Sequence, residues 1–243
     1  MNCLRNFSGT IVLFALAREA RPFLRYFSGR HKLAPGTWQC HERLVTALLG
    51  VGPQSARLRV NSLLQNGNRP RLIVVAGYAG ALKPGLPLGT VCSVAHVRDA
   101  HSSSLPTSWP EDRSFHLLTS ERMIIRREEK SELYESTDAE LVDMESYQVV
   151  GACQKAGIHC GCVRVVSDIA EESLPDRLTD IVDRGRVSYR QLCTAALRSP
   201  SLLAHLIRLG RRTSGAAQKL ADNLYSRLMV LESTEPWEGR KTI

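Results

Sequence analysis

Acidic residues lie at the edges of two neighbouring apolar segments, where their side chains can reach a ligand. Asp143 and Glu145 stand two residues apart just before a helix-like run at 147–156, and Asp168 ends the apolar run 161–167, which is typical of a buried strand. Ligands of open α/β sheets bind at the carboxyl ends of strands. We therefore expect carboxylates from two elements to face one pocket. The alternative is a helix with acids in its first turn beside a solvated strand end.

A third acidic residue follows the first predicted strand. The apolar run 10–15 predicts that strand, and Glu19 falls in the first turn of a helix predicted to begin at residue 17. This position again lies on the ligand side of a sheet. Taken alone, Glu19 is also consistent with an exposed acid at a helix N-terminus.

Glycines follow two further predicted strands. Gly50 and Gly52 separate a strand from a helix predicted at 54–65, where the backbone could cradle a phosphate or a ribose, although any tight turn also favours glycine. The uninterrupted apolar run 71–76 predicts a central parallel strand. It ends in small residues that let the backbone come close to a ligand, Gly77-Tyr78-Ala79-Gly80.

The remaining segments complete an alternation of strands and helices. Strands are predicted at 90–97 and 115–119, a connection at 28–36, a surface loop that could close over the site at 101–113, and a helix at 124–133. The charge run 126–130 predicts a solvated face of that helix. The alternation predicts an α/β protein, a three-layer α/β/α sandwich around a central mixed, mostly parallel sheet.

Composition argues against several classes of protein. Of the 243 residues, 43% are apolar and 23% are charged, as in soluble globular proteins. No apolar run approaches the ~20 residues of a membrane-spanning helix, and the first one, 11–17, fits a strand better than a secretory signal. Seven cysteines without a Cys-x-x-Cys pair argue against a zinc site and a disulfide framework. We therefore expect buried, reduced cysteines, a cytoplasmic protein and no metal.

Four motifs resemble, in order, those of the nucleoside phosphorylase/nucleosidase superfamily over residues 10–197, and especially those of the methylthioadenosine/S-adenosylhomocysteine nucleosidases. They are Ala15-Leu16-Ala17-Arg18-Glu19; Gly50-Val51-Gly52; Gly77-Tyr78-Ala79-Gly80 with Leu88-Gly89-Thr90-Val91; and Val142-Asp143-Met144-Glu145 with Val163-Arg164-Val165-Val166-Ser167-Asp168. The last pair is the most specific, because the family pattern there is acid-Met-Glu and then Arg-x-x-Ser-Asp. The resemblance implies a nucleoside phosphorylase-like fold and cleavage of the N-glycosidic bond between a ribose and a base.

The resemblance also implies a role for each matching residue. Asp168 would be the general acid that protonates the leaving purine, with Ser167 orienting it. Glu145 would hold the ribose hydroxyls, and Met144 would pack on the sugar. Glu19 would orient or deprotonate the attacking water. Separate carboxylates that act as acid and base on opposite faces of a sugar agree with general glycoside chemistry.

Four further positions bear on the substrate. Tyr78 and Gly80 would line the substrate pocket, and Tyr78 stands where the family often has Ser or Thr, so it could fill or reshape the nucleophile site. Ile124 occupies the region in which the family stacks an aromatic residue on the base. Arg18 could bind a phosphate, although the chain has no clear match to the phosphate-binding arginine of the phosphorylases.

The sequence leaves three functions open. The first is a nucleosidase that hydrolyses a purine nucleoside or thionucleoside without a cofactor, as in purine or methionine salvage. The second is a phosphorylase with phosphate as co-substrate, including the type associated with hopanoid synthesis, which acts on an adenosyl lipid. The third is a non-catalytic nucleoside-binding protein, against which the retention of Glu19, Glu145 and Asp168 argues. We also expect a homodimer.

Basic residues dominate the end of the chain. We predict a catalytic domain at 1–198 and a helical extension at 199–243 packed on the same domain. Eight basic residues and no acid lie between 184 and 221, which matches the formal net charge of +8. The segment 200–212 predicts an amphipathic helix that packs on the domain with a solvated basic face, or that contacts an anionic membrane surface weakly. Nucleic acid is not expected, because no aromatic residues interleave the charges.

Overall fold

The computed structural model describes Leu4 and residues 6–65, 67–101, 104–108, 115–174 and 200–233, with side chains in the last segment described at 214–231. This part of the chain contains ten strands and five helices. The strands are β1 (Thr10–Phe14), β2 (His31–Ala34), β3 (Thr37–His41), β4 (Leu44–Leu48), β5 (Leu72–Ala81), β6 (Val91–Arg98), β7 (Ser104–Pro106), β8 (Phe115–Thr119), β9 (Leu141–Asp143) and β10 (His159–Asp168). The helices are α1 (Ala17–Leu24), α2 (Pro53–Leu64), α3 (Arg127–Thr137), α4 (Ser146–Lys155) and α5 (Pro200–Ser233).

The sheet is mixed, with a parallel centre. Strands β4, β1, β5 and β10 lie side by side and pair in parallel, while β3 and β2 extend the β4 edge as antiparallel strands. On the other side β10 pairs with β6, β6 with β8 and β8 with β9, and β9 returns to β5. The long strand β5 therefore belongs to both parts of the sheet, and it brings β9 and β10 together beside its carboxyl-terminal half.

Both faces of the central strands are buried, as the continuous apolar runs predict. Along β1, Ile11 and Leu13 face the core formed with α2 and α4, whereas Val12 and Phe14 face the core formed with α1 and α5. Helices therefore cover the sheet on both sides. This arrangement confirms the predicted three-layer α/β/α sandwich, and its alternation explains why successive residues of one strand meet different partners.

The structure differs from the sequence prediction in the short elements. The segment 28–36 is not only a connection, because it contains β2, an exposed edge strand too polar to be recognised by its apolar pattern. β7 lies in the predicted surface loop, and the three-residue β9 is too short for any periodicity. β5 continues to Ala81, so the glycine segment predicted to follow the strand is part of it.

The cysteines agree with the sequence prediction. All five that the structure describes are free and buried: Cys40, Cys92, Cys153, Cys160 and Cys162. They act as small apolar side chains of the cores that hold the sheet and its helices together.

Helix α5 packs on the domain through its carboxyl-terminal half. Leu220, Leu224 and Leu228 are buried in the core shared with α1, and the Tyr225 ring stacks on Tyr26 with 4.3 Å between centroids. None of the described helices is long and apolar enough to cross a membrane. The basic residues of 184–199 and the side chains of 200–213 lie outside the described part, so the predicted membrane contact and the predicted domain boundary stay predictions.

Candidate active site

The site is built around the carboxyl-terminal half of β5, where two glycines let charged side chains come close. Gly80 pairs with Asp168 of β10 on one side and with Val142 of β9 on the other. A Cβ atom at Gly80 would lie 3.0 Å from Asp168 Oδ2, and one at Gly77 would lie 2.7 Å from Arg164 Nη1. Real Cβ atoms rarely meet such contacts, so glycine at these positions makes room for the charged groups of β10.

Asp168 ends β10, and hydrogen bonds hold both of its carboxylate oxygens. Lys130 Nζ donates to Oδ2 at 2.6 Å, and Ser167 Oγ donates to Oδ1 at 2.7 Å. Asp168 is buried, so the alternative of a solvated strand end is wrong. Ser167 also lies 3.2 Å from the carbonyl oxygen of Ala79, which ties this strand end to β5.

Glu145 stands between β9 and α4 and reaches the glycine turn after β4. Its Oε1 accepts a hydrogen bond of 2.7 Å from the Gly52 N–H. Gly52 precedes the first residue of α2 with φ of 87°, a conformation that favours glycine. Within the described part of the molecule, no residue donates a hydrogen bond to Glu145 Oε2. This oxygen could therefore accept a hydrogen bond from a ligand.

Arg164 is a buried cation beside Asp143, whereas the buried Lys130 lies beside Asp168. Arg164 Nη2 donates to Asp143 Oδ2 and, at 2.6 Å, to Ser146 Oγ. Asp143 also accepts hydrogen bonds from Thr119 Oγ1 at 2.7 Å and from the Ser146 N–H at 3.0 Å. Asp143 thus connects the ends of β8 and β9, the start of α4 and the middle of β10 through three hydrogen bonds.

Glu19 lies in the first turn of α1 and points inward. Its Oε2 accepts the Leu16 N–H at 2.8 Å, and its Oε1 accepts the Tyr78 N–H at 3.2 Å. The residue is buried, so the alternative of an exposed helix-start acid is wrong. Both oxygens lie 3.2 Å from the position that a Cβ atom on Gly77 would occupy. Glu19 and Arg164 therefore both lie close to the Gly77 backbone.

Glu19, Glu145 and Asp143 share one buried guanidinium, and the pKa values of the two glutamates are raised, chiefly by burial. Burial and the nearby Asp143 carboxylate raise the pKa of Glu145 to about 8, and Arg164 only partly offsets them. Burial likewise raises the pKa of Glu19, against hydrogen bonds from the backbone and the charge of Arg164. Burial opposes the charge of Arg164, but Asp143 and the other acids outweigh it and raise the pKa of that guanidinium.

Three predicted substrate-binding residues lie near these carboxylates. Met144 is half-buried between Asp143 and Glu145. Tyr78 is half-buried on β5, and the guanidinium carbon of the exposed Arg18 lies 5.5 Å from the centre of its ring. Gly80 faces Asp168, as described above.

Ile124 lies in a different environment. It packs in an apolar cluster with Leu82, Leu118 and Val142 and lines a cavity of about 350 Å³ at the ends of β6 and β8. The cavity wall also contains Arg98, Arg122 and residues of α3, but not Glu19, Glu145 or Asp168. Contact between Ile124 and a nucleobase therefore stays a prediction.

The sequence analysis did not identify two charged residues of the site, Lys130 and Arg164, as buried. Lys130 was part of a charge run predicted to be solvated, but its side chain has no solvent exposure. Its spacing of three and four residues from Leu133 and Tyr134, which pack against an apolar cluster, could have revealed its inward face. Arg164 was visible only as a member of the motif that ends at Asp168, and its position inside an apolar strand was the signal of a buried charge.

Comparison with known proteins supports the predicted family. Residues 117–198 match the model of the phosphorylase superfamily. No curated protein matches the chain in sequence. Among solved structures, futalosine hydrolase of Helicobacter pylori is 17% identical, with a TM-score of 0.68 over 93% of this chain and 99% of that chain.

Two nucleosidase structures give similar values. A variant of the H. pylori 5′-methylthioadenosine/S-adenosylhomocysteine nucleosidase, with 5′-methylthioadenosine in its active site, is 17% identical, with a TM-score of 0.66 over 92% of this chain and 99% of that chain. The corresponding Chlamydia trachomatis protein is 18% identical, with a TM-score of 0.65 over 92% of this chain and 98% of that chain. The chain therefore has the fold of the nucleoside phosphorylase/nucleosidase superfamily and resembles its nucleosidases.

Proposed function

We propose that this protein hydrolyses the N-glycosidic bond of a purine nucleoside or thionucleoside. The observation that supports this function best is a group of three buried carboxylates around β5, each with a different set of partners. Asp168 accepts hydrogen bonds from two side chains. Glu145 accepts one hydrogen bond from a backbone N–H, and Glu19 accepts hydrogen bonds from two backbone N–H groups. Carboxylates in different environments can take different roles in one reaction.

Asp168 would supply the proton that the leaving base needs. As the bond between C1′ and the base nitrogen breaks, its electron pair moves to the base and the ribose becomes oxocarbenium-like. Transfer of a proton from the Asp168 carboxyl group to the imidazole ring of the purine lets the base leave as a neutral molecule. Asp168 is then a carboxylate beside the Lys130 ammonium group, which stabilises it.

Glu145 would bind the ribose. Its Oε1 is fixed by the Gly52 N–H, and its other oxygen can accept hydrogen bonds from the ribose hydroxyls. Bonds to a carboxylate are stronger than bonds between neutral groups. In its ionised form, which predominates above its pKa of about 8, Glu145 would also favour the positive charge that develops on the ring.

Glu19 would activate water. Its raised pKa makes it a stronger base than an ordinary glutamate, which suits removal of a proton from water near neutral pH. The proton moves to Glu19 as the water oxygen forms its bond to C1′. A buried carboxylate would repel a phosphate ion, and for this reason we favour hydrolysis over phosphorolysis.

Phosphorolysis is the second candidate, and one observation favours it. The exposed guanidinium of Arg18 lies against the Tyr78 ring, and the Tyr78 backbone holds Glu19. From this exposed position beside Tyr78, Arg18 could bind a phosphate ion that attacks C1′ in place of water. The substrate could then include an adenosyl lipid.

The test is base release from adenosine, inosine, methylthioadenosine and adenosylhomocysteine, each with and without phosphate. If the reaction is hydrolysis, free ribose or its 5′-thio derivative forms even when no phosphate is added. If turnover strictly requires phosphate and yields a ribose phosphate, hydrolysis is excluded as the main reaction. Binding of these nucleosides without turnover would instead support a non-catalytic nucleoside-binding protein.

The role of Asp168 is tested on whichever substrate is cleaved. Asp168→Asn should lose ~10²–10⁴-fold in rate, the usual contribution of general acid catalysis. Asp138→Asn, on the exposed end of α3, is the matched control and should keep full activity. Unchanged turnover in Asp168→Asn would show that another group protonates the base.

A further inference from the structure

We propose that Lys130 positions the general acid, by holding Oδ2 of Asp168 so that the catalytic proton is carried on Oδ1. The inference rests on the proposed function and adds a residue to it. Lys130 lies on α3, outside the motifs that suggested the site, and its side chain is fully buried. A lysine is almost never buried completely unless it is paired.

The hydrogen bonds of Lys130 account for its whole ammonium group. Nζ donates to Asp168 Oδ2 at 2.6 Å, to the Ile169 carbonyl oxygen at 2.8 Å and to the Glu172 carbonyl oxygen at 3.1 Å. An ammonium group has three N–H donors and no acceptor. Three acceptors at these distances fit the charged form of lysine, which can only donate to Asp168. Oδ2 is therefore blocked as a site for the acidic proton.

The other oxygen of Asp168 has a partner that can adapt to its protonation. Ser167 Oγ lies 2.7 Å from Oδ1 and 3.2 Å from the Ala79 carbonyl oxygen, but a serine hydroxyl has one hydrogen. When Asp168 is a carboxylate, Ser167 can donate to Oδ1. When Oδ1 carries a proton, Ser167 can turn its hydrogen to Ala79 and leave Oδ1 free to donate.

This arrangement assigns a direction to proton transfer. The proton leaves Oδ1 for the purine, the electron pair of the broken bond goes to the base, and the negative charge that forms on Asp168 lies next to a fixed ammonium group. Charges that are in place before the reaction stabilise the transition state without reorganisation. Gly80 completes the arrangement, because a side chain there would contact both carboxylate oxygens.

A purely structural role for Lys130 is the competing account. The same three bonds fasten α3 to the turn at 168–172, and their loss could impair any reaction at the site. The two accounts separate on a substrate that needs no proton. The 4-nitrophenolate of 4-nitrophenyl β-D-ribofuranoside leaves without protonation, whereas the base of adenosine or of the best nucleoside substrate does not.

The first experiment measures kcat and KM of Lys130→Met on both substrates. Methionine has a similar length and no charge. We expect kcat on the nucleoside to fall ~10²-fold, the order seen when one preorganised donor is removed, with KM little changed and with turnover of the nitrophenyl riboside within about twofold of wild type. Equal losses on the two substrates, or no loss on the nucleoside, would overturn the proposal.

Two further measurements keep the test decisive if Lys130→Met folds poorly. Lys130→Ala should regain nucleoside turnover when ethylamine is added, because the amine can occupy the position of the missing side chain; a lack of rescue in a folded protein would count against the proposal. Lys130→Met combined with Asp168→Asn should be no slower than Asp168→Asn alone, since Lys130 acts through Asp168.

The failure of the two proposals is distinguishable. If Asp168→Asn retains nucleoside turnover, the proposed general acid is wrong. If Asp168→Asn loses turnover and Lys130→Met does not, only the role of Lys130 is wrong.

Discussion

Arg164 Nη2 donates to Asp143 Oδ2 in an ion pair in which both side chains are almost completely excluded from solvent. The pair joins the middle of β10 to the end of β9, and it is the cation for Glu19 and Glu145 as well. Arg164 lies between Val163 and Val165, and the rest of the segment 160–166 of β10 is apolar. A buried charge in this position holds the acidic site together, because without it three carboxylates would face one another without a counter-charge.

Replacement of Arg164 should therefore destabilise the protein strongly. We expect Arg164→Met to lower the free energy of unfolding by ~3–5 kcal/mol, the usual cost of removing one partner of a buried ion pair. Arg122→Met is the matched control, since Arg122 pairs with Glu129 but is 67% exposed, and a surface pair contributes only ~0–1 kcal/mol. Urea denaturation measures both. Similar losses in the two variants would mean that burial of the Arg164 pair does not matter.

Glu145 should distinguish ribosides from 2′-deoxyribosides. Charge-assisted hydrogen bonds from the ribose hydroxyls need the ionised form of Glu145, which predominates above its pKa of about 8, so at pH 9 Glu145→Gln should reduce kcat/KM for adenosine far more than for 2′-deoxyadenosine. The expected difference is ~10-fold or more, which corresponds to ~1.4 kcal/mol of lost binding in the transition state. Equal losses on both nucleosides would indicate that Glu145 serves only to hold the Gly52 turn.

The same residue should make stability depend on pH. In the unfolded chain Glu145 ionises near its ordinary pKa of 4.5, whereas in the folded protein its pKa is about 8. Between these values the folded state binds more protons than the unfolded state, so the free energy of unfolding should fall as pH rises from about 4.5 to about 8. One proton contributes at most ~1.4 kcal/mol per pH unit.

Glu145→Gln removes this titration and should flatten the pH dependence. The raised pKa of Glu19 acts in the same direction, so part of the slope should remain. Denaturation of wild type and Glu145→Gln at pH 5.5, 7 and 8.5 gives the comparison, with Glu132→Gln on the exposed face of α3 as the control. A wild-type slope that Glu145→Gln leaves intact would contradict the ionisation described for Glu145.

The sequence was sufficient for the framework of the site and insufficient for its counter-charges. Apolar runs mark β1, β5 and β10 because both faces of these strands are buried, and Glu19 and Asp168 could be found because they end or follow such runs. Glu145 could be found because it precedes a helix-like run, and the family motifs added its role. In contrast, β2 and β9 are too polar or too short to give a pattern.

Lys130 shows why the remaining part could not be predicted. It is 38 residues from Asp168 along the chain, and only the packing of α3 against the end of β10 brings the two groups to 2.6 Å. In the sequence Lys130 belongs to a run of five charged residues. The other four charged residues give no indication that one member of the run is buried. The spacing of apolar residues along α3 indicates which face of the helix points inward, but it does not indicate which carboxylate Lys130 contacts there.

Glu19 is the residue that separates hydrolysis from phosphorolysis. A carboxylate with a raised pKa can take a proton from water, whereas a phosphate nucleophile needs no base and is repelled by a negative charge. Glu19→Gln keeps the shape of the side chain, and its amide oxygen can still accept the Leu16 or the Tyr78 N–H, but it cannot accept a proton from water. We expect hydrolysis to fall ~10²–10⁴-fold, as for the loss of a general base, with nucleoside binding preserved.

The control for Glu19 uses the neighbouring charge. Arg18→Gln removes the exposed cation beside Tyr78 and should leave hydrolysis unchanged, while it should weaken any phosphate-dependent reaction. Base release is measured with and without phosphate for both variants, and circular dichroism checks the fold. Full hydrolytic activity in Glu19→Gln would count against the nucleosidase proposal, and a loss of turnover in Arg18→Gln only when phosphate is present would favour the phosphorylase.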